Sequence, residues 1–582
     1  MNRLKLIDFF QKTESPRQKQ YEAVRSVVID NLSCADAAKK FGYKENSLYT
    51  LIKKTEAGNH CLFPEVPIGP QGRSTEIKTQ NIIIQYRTEQ NLSANDIKIK
   101  LNNKGTKISV RTIERILVDA GFKKLKRRTH QQRGITLKNK IIPERSKSLD
   151  FDKLKPFKID CSAAGLFLFL PYIIESDILD VIKKCELPKS SVIDSLQACL
   201  SILALKLLGN DRLSKVDDYN QEPGLAIFAG LNIFPKPTYM CTYSCRTTEK
   251  ILLDFQKKII KKFRKKYPEF YDGEFINLDF HSIPHYGTEA EMENIWCGAK
   301  SKTMKGANTI FAQDSKNKTI LYSRADIFRR EEAEEIKKFV DYWEKIKGKV
   351  TETLVFDCKL TKYSVLGELD ERDNKINFIT LRKRNAGLLK KTEEISDDKW
   401  QKVKINIPKR KYSKVSVNES KVLLPKCEKE FRQIIIKDHG RQKPTFVITN
   451  NEELSIDKIL EVYAKRWRIE NKFSELVEFF SLNSLSSPLM IRIHFDILMT
   501  FIADTLYHIF AKDLRRFEHH DAKTIFRKFI NMPGHVNYDG ERFLIKIRKR
   551  AYTPILKNVD KLNKPIKIPW LEGKTIQIIW TA

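Results

Sequence analysis

Apolar and polar positions alternate along this chain with helical spacing in the first third and a mixture of periods beyond it. Arg17 to Asn31 places Tyr21, Val24, Val27 and Val28 on one side of a helix. Ser33, with Asp36 three residues on, has the form of a capping box and opens a second helix carrying Ala35, Ala37, Ala38 and Phe41. Gly42-Tyr43 supplies a turn. Glu45 to Lys54 then reads as a third helix, with Leu48, Leu51 and Ile52 inward and Ser47, Tyr49, Thr50, Lys53 and Lys54 outward. The triplet returns at Thr75–Glu89, at Ser93–Leu101 with Asp96 behind the cap, and at Val110–Ala120 behind Ser109. Pro64, Pro67, Gly69, Pro70 and Gly72 mark a linker between the two triplets.

A short helix, a glycine turn and a helix with a polar, basic outer face form a helix-turn-helix pattern. Its second copy exposes Arg111 and Arg115, as the first exposes Ser47 and Lys53, so these four are candidate DNA contacts. Residues 121–140 follow with eight Lys/Arg, among them Lys126, Arg127 and Arg128, and no acid. A stretch of that charge suits tracking along phosphates.

From 150 to 270 the pattern is mostly helical. Ser191–Leu208 is strongly apolar, and Leu252–Lys266 is amphipathic with a basic face. Beyond it, strand-like runs appear at Glu274–Ile283, Thr309–Ala312 and Thr319–Ala325. A helix at Arg330–Ile346, a strand at Thr353–Asp357, a helix at Tyr363–Glu371 and a strand at Ile376–Leu381 follow. This order is that of the RNase H-like fold, in which the first and fourth strands lie side by side and parallel after a helical crossover. Asp279 and Asp357, each at the end of an apolar run, then become neighbours. Residues 385–455 are rich in alternating segments and read as an all-β insertion. The helix Ile456–Phe480 after it carries Glu470. Two acids at strand ends and one on a helix can converge on divalent metal ions and activate a nucleophile against a phosphodiester.

On that helix Tyr463, Arg466 and Glu470 share a face. Tyr463-x2-Arg466-x3-Glu470 resembles the Tyr-Arg-Glu-Lys signature of bacterial insertion-sequence transposases of the DDE class. So do Leu278-Asp279-Phe280-His281-Ser282-Ile283-Pro284, Leu354-Val355-Phe356-Asp357-Cys358-Lys359-Leu360-Thr361 and Phe378-Ile379-Thr380-Leu381-Arg382-Lys383-Arg384. The resemblance covers roughly residues 155–515. It implies catalytic and metal-holding roles for Asp279, Asp357 and Glu470, with two Mg²⁺ (or Mn²⁺) ions about 4 Å apart. Arg466 can grip a phosphate with its planar fork, and Tyr463 can donate to a phosphate or pack against Arg466. The signature's Lys is Val477 here, which leaves Lys472 or Lys465 as a substitute DNA contact, or no such contact. Trp400, in the insertion, is a candidate base-stacking residue; a packed strand Trp is the plainer reading.

Composition supports a polyanionic partner. The 582 residues carry a formal net charge of +34, far more than solvated faces need, and 41% are hydrophobic, enough for packed cores. Ten cysteines without a Cys-x2-Cys pair read as reduced thiols rather than a zinc site. No secretory signal is apparent at Met1-Asn2-Arg3-Leu4, and Ala163–Leu170 is too short to span a bilayer. The expectation is therefore a cytoplasmic, nucleoid-associated protein with no membrane partner, bacterial as the resemblance implies.

The fold class expected is multidomain α+β. Helix-turn-helix domains fall at 1–57 and 74–122, joined by a linker at 58–73 and followed by a basic linker at 123–150. A helical domain occupies 151–272. An RNase H-like α/β catalytic core, 273–384 plus 456–515, is interrupted by the all-β insertion 385–455, and a C-terminal region covers 516–582. The function expected is a transposase that binds terminal inverted repeats and performs metal-dependent DNA cleavage and strand transfer. Its partners would be double-stranded transposon ends and target DNA, within a homodimer or larger synaptic complex. An RNase H-fold nuclease without strand transfer and a domesticated DNA-binding regulator are the alternatives. The Lys/Arg-rich run Phe543–Ala551 suits either dimerisation or DNA contact.

Overall fold

A computed structural model of the chain describes residues 15–63, 75–123, 125, 144–210, 213–219, 222–287, 292–407, 412–466, 468–484, 487 and 489–582. Two compact units result, residues 1–141 and 142–582. Lys126, Arg127 and Arg128 lie outside the described residues.

The first unit contains the two expected helix triplets: α1 (Pro16–Val28), α2 (Cys34–Phe41) and α3 (Glu45–Glu56), then α4 (Ile77–Gln90), α5 (Ala94–Asn103) and α6 (Val110–Asp119). Local chemistry sets their boundaries. The Ser33 hydroxyl accepts from the Asp36 N–H, Ser93 and Asp96 form a reciprocal capping box, and Ser109 accepts from the Thr112 N–H. Gly42, at φ 63°, stops α2 in the left-handed conformation that a side chain would disfavour. Each triplet closes over its own small core, Ala23, Ala37, Ala38 and Leu48 in the first and Ile83, Ile97, Leu101, Ile113 and Ile116 among others in the second.

In the second unit, one ten-stranded sheet organises the centre. Its strands are β2 (Phe275–Pro284), β3 (Asn294–Cys297), β4 (Lys302–Asp314), β5 (Ile320–Arg324), β6 (Thr353–Phe356), β7 (Phe378–Leu381), β8 (Gln401–Lys404), β9 (Lys414–Leu423), β10 (Glu430–Lys437) and β11 (Thr445–Thr449). β1 (Phe157–Cys161) belongs elsewhere. The order of the first five core strands is β5-β4-β2-β6-β7, with β2 parallel to β6 and β6 parallel to β7. β2 and β6 are thus adjacent, as the element order requires.

Residues 385–455, expected as an all-β insertion, begin with a helix at Ala386–Glu393, and their strands continue the central sheet as β7-β11-β10-β9-β8. β11 pairs antiparallel with β7, Val447 opposite Leu381. The physical reason is that β7 would otherwise end the sheet with unpaired backbone groups, and an antiparallel meander closes that edge. The extension has its own apolar layer, in which Ile459, Leu460 and Val462 pack against Val417, Ile434, Ile436 and Val447.

The helices around the sheet include α7 (Ser195–Leu207), α8 (Glu249–Lys266), α9 (Glu335–Lys347), α10 (Tyr363–Glu371), α11 (Ile456–Lys465), α12 (Arg468–Phe480) and α13 (Met490–Lys512). The single helix expected over 456–480 is therefore described as α11 and α12. α13 is long and apolar enough to cross a membrane, yet nearly all of it is buried among the other elements. Its two aspartates are paired there: Asp496 with Lys206 at 2.9 Å and Asp504 with Lys472 at 2.7 Å.

A second sheet joins the two ends of this unit. Its order is β1-β12-β13-β15-β14, with β12 (Gly534–Tyr538), β13 (Arg542–Arg548), β14 (Ile566–Lys567) and β15 (Thr575–Thr581). β1 lies in a region expected to be helical. Its five residues are too few to show a period, and only pairing with β12 reveals them as a strand.

Candidate active site

Parallel register does the first part of the assembly. β2 and β6 pair Leu278 with Phe356, and the next residue on each is Asp279 or Asp357. The two carboxylates therefore leave the sheet side by side. Each is held by its own backbone: the Phe280 N–H donates to Asp279 Oδ1 at 2.8 Å, and the Lys359 N–H donates to Asp357 Oδ1 at 2.8 Å. Thr361 and Thr380 hydroxyls, 2.6 Å apart, reach the Asp357 carbonyl at 3.2 and 3.4 Å and fix the turn after β6.

Arg466 closes the site. Its Nη1 donates to Asp279 Oδ2 at 2.6 Å, and its Nη2 lies 3.7 Å from Glu470 Oε1. The guanidinium expected to grip phosphate is thus turned onto Asp279 and Glu470. Tyr463 packs beside it, 5.8 Å from ring centroid to guanidinium carbon, and burial pushes its hydroxyl pKa up to about 12. Glu470 is brought to Arg466 but stands at the solvent edge, its side chain 61% exposed.

Burial pushes the Asp279 pKa up to about 6, and the nearby Asp357 charge adds to this, against the pull of Arg466. Burial disfavours the Arg466 charge as well, but Asp279, Tyr463 and Asp357 more than compensate and hold its pKa above the ordinary value. The sign for stability follows. A raised carboxyl pKa means that the folded protein holds a proton the unfolded chain has lost, so the contribution is present below pH 3.8 and disappears as pH rises through about 6. Asp279→Asn should then stabilise the metal-free protein at pH 7 by on the order of 1–3 kcal/mol, with no gain near pH 4. Urea unfolding at the two pH values in the presence of a chelator checks this.

These oxygen donors fit a hard divalent cation. Two carboxylates face each other with one cation between them and Glu470, and the raised Asp279 pKa shows that Arg466 alone does not offset their desolvation. A different group satisfies the spacing of a metal site more tightly. The ligand atoms of Glu475, Asp504 and His508 all lie within 4.8 Å of one another, the one such group among the described residues. Its centre is already filled, because the Lys472 ammonium lies 2.7 Å from Asp504, 3.1 Å from Glu475 and 3.3 Å from His508. A metal there would face a fixed positive charge, so Asp279, Asp357 and Glu470 remain the better-suited donors. The same geometry corrects the expectation for Lys472: at 1% exposure it is an internal counter-ion and is not available to DNA.

The acids sit in an open cleft of about 850 Å³. Sequence reasoning missed several of its walls. Lys359 and Arg329 bring positive charge, and Trp296, 60% exposed on the β3–β4 hairpin, brings an aromatic ring. β3 has only four residues, too few for a periodic signal. Val477, where the resemblance expects Lys, lines the same cleft. His281 also lines it and hydrogen-bonds Asn483 at 2.7 Å through Nε2. Trp400 stands in the sheet extension, with the Lys437 ammonium 3.8 Å from its ring centroid. In the first unit, Ser47, Lys53, Arg111 and Arg115 are all exposed on α3 and α6.

Residues 272–506 match the family described as the transposase DDE domain. Asp279, Asp357 and Glu470 all fall within the matched segment. Among solved structures, the chain is similar to a piggyBac transposase synaptic complex with hairpin DNA, at 10% identity and a TM-score of 0.37, over 65% of this chain and 82% of that one. A pre-cleavage Mos1 transpososome is matched at 6% identity and a TM-score of 0.11, over 61% and 75% of the two chains. No curated protein matches the sequence.

Proposed function

We propose that this protein is a transposase that binds the ends of a DNA element through its two N-terminal helix triplets and cuts and joins DNA at Asp279, Asp357 and Glu470. One observation carries the reading: the parallel β2–β6 register that sets Asp279 beside Asp357, inside a segment matching the transposase DDE domain. The strand order β5-β4-β2-β6-β7 supports an RNase H-like core. The three carboxylates would hold two Mg²⁺ or Mn²⁺ ions, which supply an activated water or 3′-hydroxyl and offset charge on the leaving oxygen. Asp279 and Asp357 are held in position by backbone N–H groups. Arg466 is placed to exchange its Asp279 carboxylate for a DNA phosphate, which its planar fork also fits. Assembly on paired ends requires at least a dimer.

The test is a cleavage and joining assay on the inverted repeats flanking the coding region, with Mg²⁺ and with chelator. Cleavage without joining would favour a nuclease, and intact DNA with tight binding would favour a regulator. Recognition by the triplets has its own check. Arg111→Gln and Arg115→Gln should each weaken binding to the ends by roughly 1–3 kcal/mol if the side chain reads a base. If it meets only phosphate, each should instead lower the salt slope by about one. Fluorescence anisotropy on end and scrambled duplexes separates the two outcomes.

A further inference from the structure

The second sheet lies wholly outside residues 272–506 and has no part in the site above. One of its faces is core: Val536, Phe543, Ile545, Ile547, Ile576 and Ile578 are all buried. Residues directly opposite across a strand pair share a face. The registers Lys158–Asn537–Leu544–Gln577 and Asp160–His535–Lys546–Ile579 therefore run across the other face. Arg548 with Thr581, and Lys567 with Thr575 and Arg542, extend it along the strands.

This outer face is open and unevenly charged. Its one acid, Asp160, is matched by His535 at 2.7 Å, and Arg542 is matched by Asp539 at 3.2 Å. Lys158, Lys546, Arg548 and Lys567 have no carboxylate partner among the described residues. Arg542 to Arg548 spans about 20 Å of strand, the rise of roughly six nucleotides on one DNA strand. Asn537, Gln577, Thr575 and Thr581 add neutral hydrogen-bonding groups between the cations. Charge decides between the two occupants that a basic, exposed sheet face permits. A second copy docked on the same face by a twofold axis would set these cations against themselves. A DNA backbone meets them with phosphates and releases its counterions.

We propose that the outer face of the β1-β12-β13-β15-β14 sheet is a sequence-independent docking surface for the phosphate backbone of duplex DNA. It takes DNA as partner from the proposed function but does not use the acids, and binding can be read without chemistry. The experiment measures the affinity of the full chain for a labelled duplex of arbitrary sequence as a function of salt. The comparison is with Lys158→Gln/Lys546→Gln/Arg548→Gln/Lys567→Gln. Neutralising four side chains that each meet a phosphate should reduce the slope of log affinity against log salt by about 3.6. Between about 50 and 200 mM salt the wild-type affinity should then fall about a hundredfold more than that of the variant. Gln577→Lys, a single change at a half-buried position of this face, should raise the slope by about 0.9 and serves if the fourfold variant does not fold. An unchanged slope in both variants would overturn the proposal. So would a change of oligomeric state on sedimentation with the slope unaltered. A wild-type chain that binds no DNA would instead overturn the proposed function.

Discussion

Asp357→Asn should bind DNA like the wild-type chain and fail to cut it. The substitution keeps the Oδ1 acceptor that receives the Lys359 N–H and removes only the charge. If the carboxylate helps hold the metal ions, several kcal/mol of transition-state stabilisation are lost with it. At 1.36 kcal/mol per tenfold, cleavage should fall by about a thousandfold or more. Single-turnover cleavage of a labelled end with saturating enzyme measures the loss, and anisotropy on the same duplex checks that binding is within about twofold, well inside the thousandfold expected for chemistry. Activity within a factor of ten of the wild type would remove Asp357 from the catalytic set. The Asp279→Asn comparison adds a second signature, because the same kind of change at that position should lose activity and gain stability together.

Lys472→Met should be among the most destabilising single substitutions in the second unit. Lys472 is buried between Asp504, itself 1% exposed, and Glu475. Removing one partner of a buried charge cluster leaves the others uncompensated and costs about 3–5 kcal/mol. The double variant Lys472→Met/Asp504→Leu should recover much of this, because exchanging a buried ion pair for apolar groups is often neutral. Urea midpoints of the wild type, the single and the double variants decide the matter. A loss below about 1 kcal/mol in the single variant would mean that Lys472 is hydrated and behaves as a surface pair. The ion pair has functional weight because Lys472 lies on α12 two residues beyond Glu470 and ties that helix to α13.

Much of this is legible in the sequence alone. The caps Ser33, Ser93 and Ser109 and the turn glycine Gly42 act on atoms within a few residues, so local sequence alone determined the two helix triplets. The order of strands and helices from 274 to 381, which is that of the RNase H-like fold, made β2 and β6 the expected parallel neighbours. From that order came the pairing of Asp279 with Asp357.

Long-range pairing had no such signal. The strands of residues 401–449 look the same whether they form a separate body or extend an existing edge, and only the unpaired side of β7 settles which. β1 is a strand because β12 is beside it, more than 370 positions away in the chain. Lys472 and Arg466 are both basic residues on one helical stretch and read alike as DNA contacts. Tertiary packing separated them: one points inward to Asp504, the other across to Asp279, and their partners lie 32 and 187 positions distant. The chemistry of each side chain was written in the sequence, but which charge would meet it depended on the packing of elements that no local pattern records.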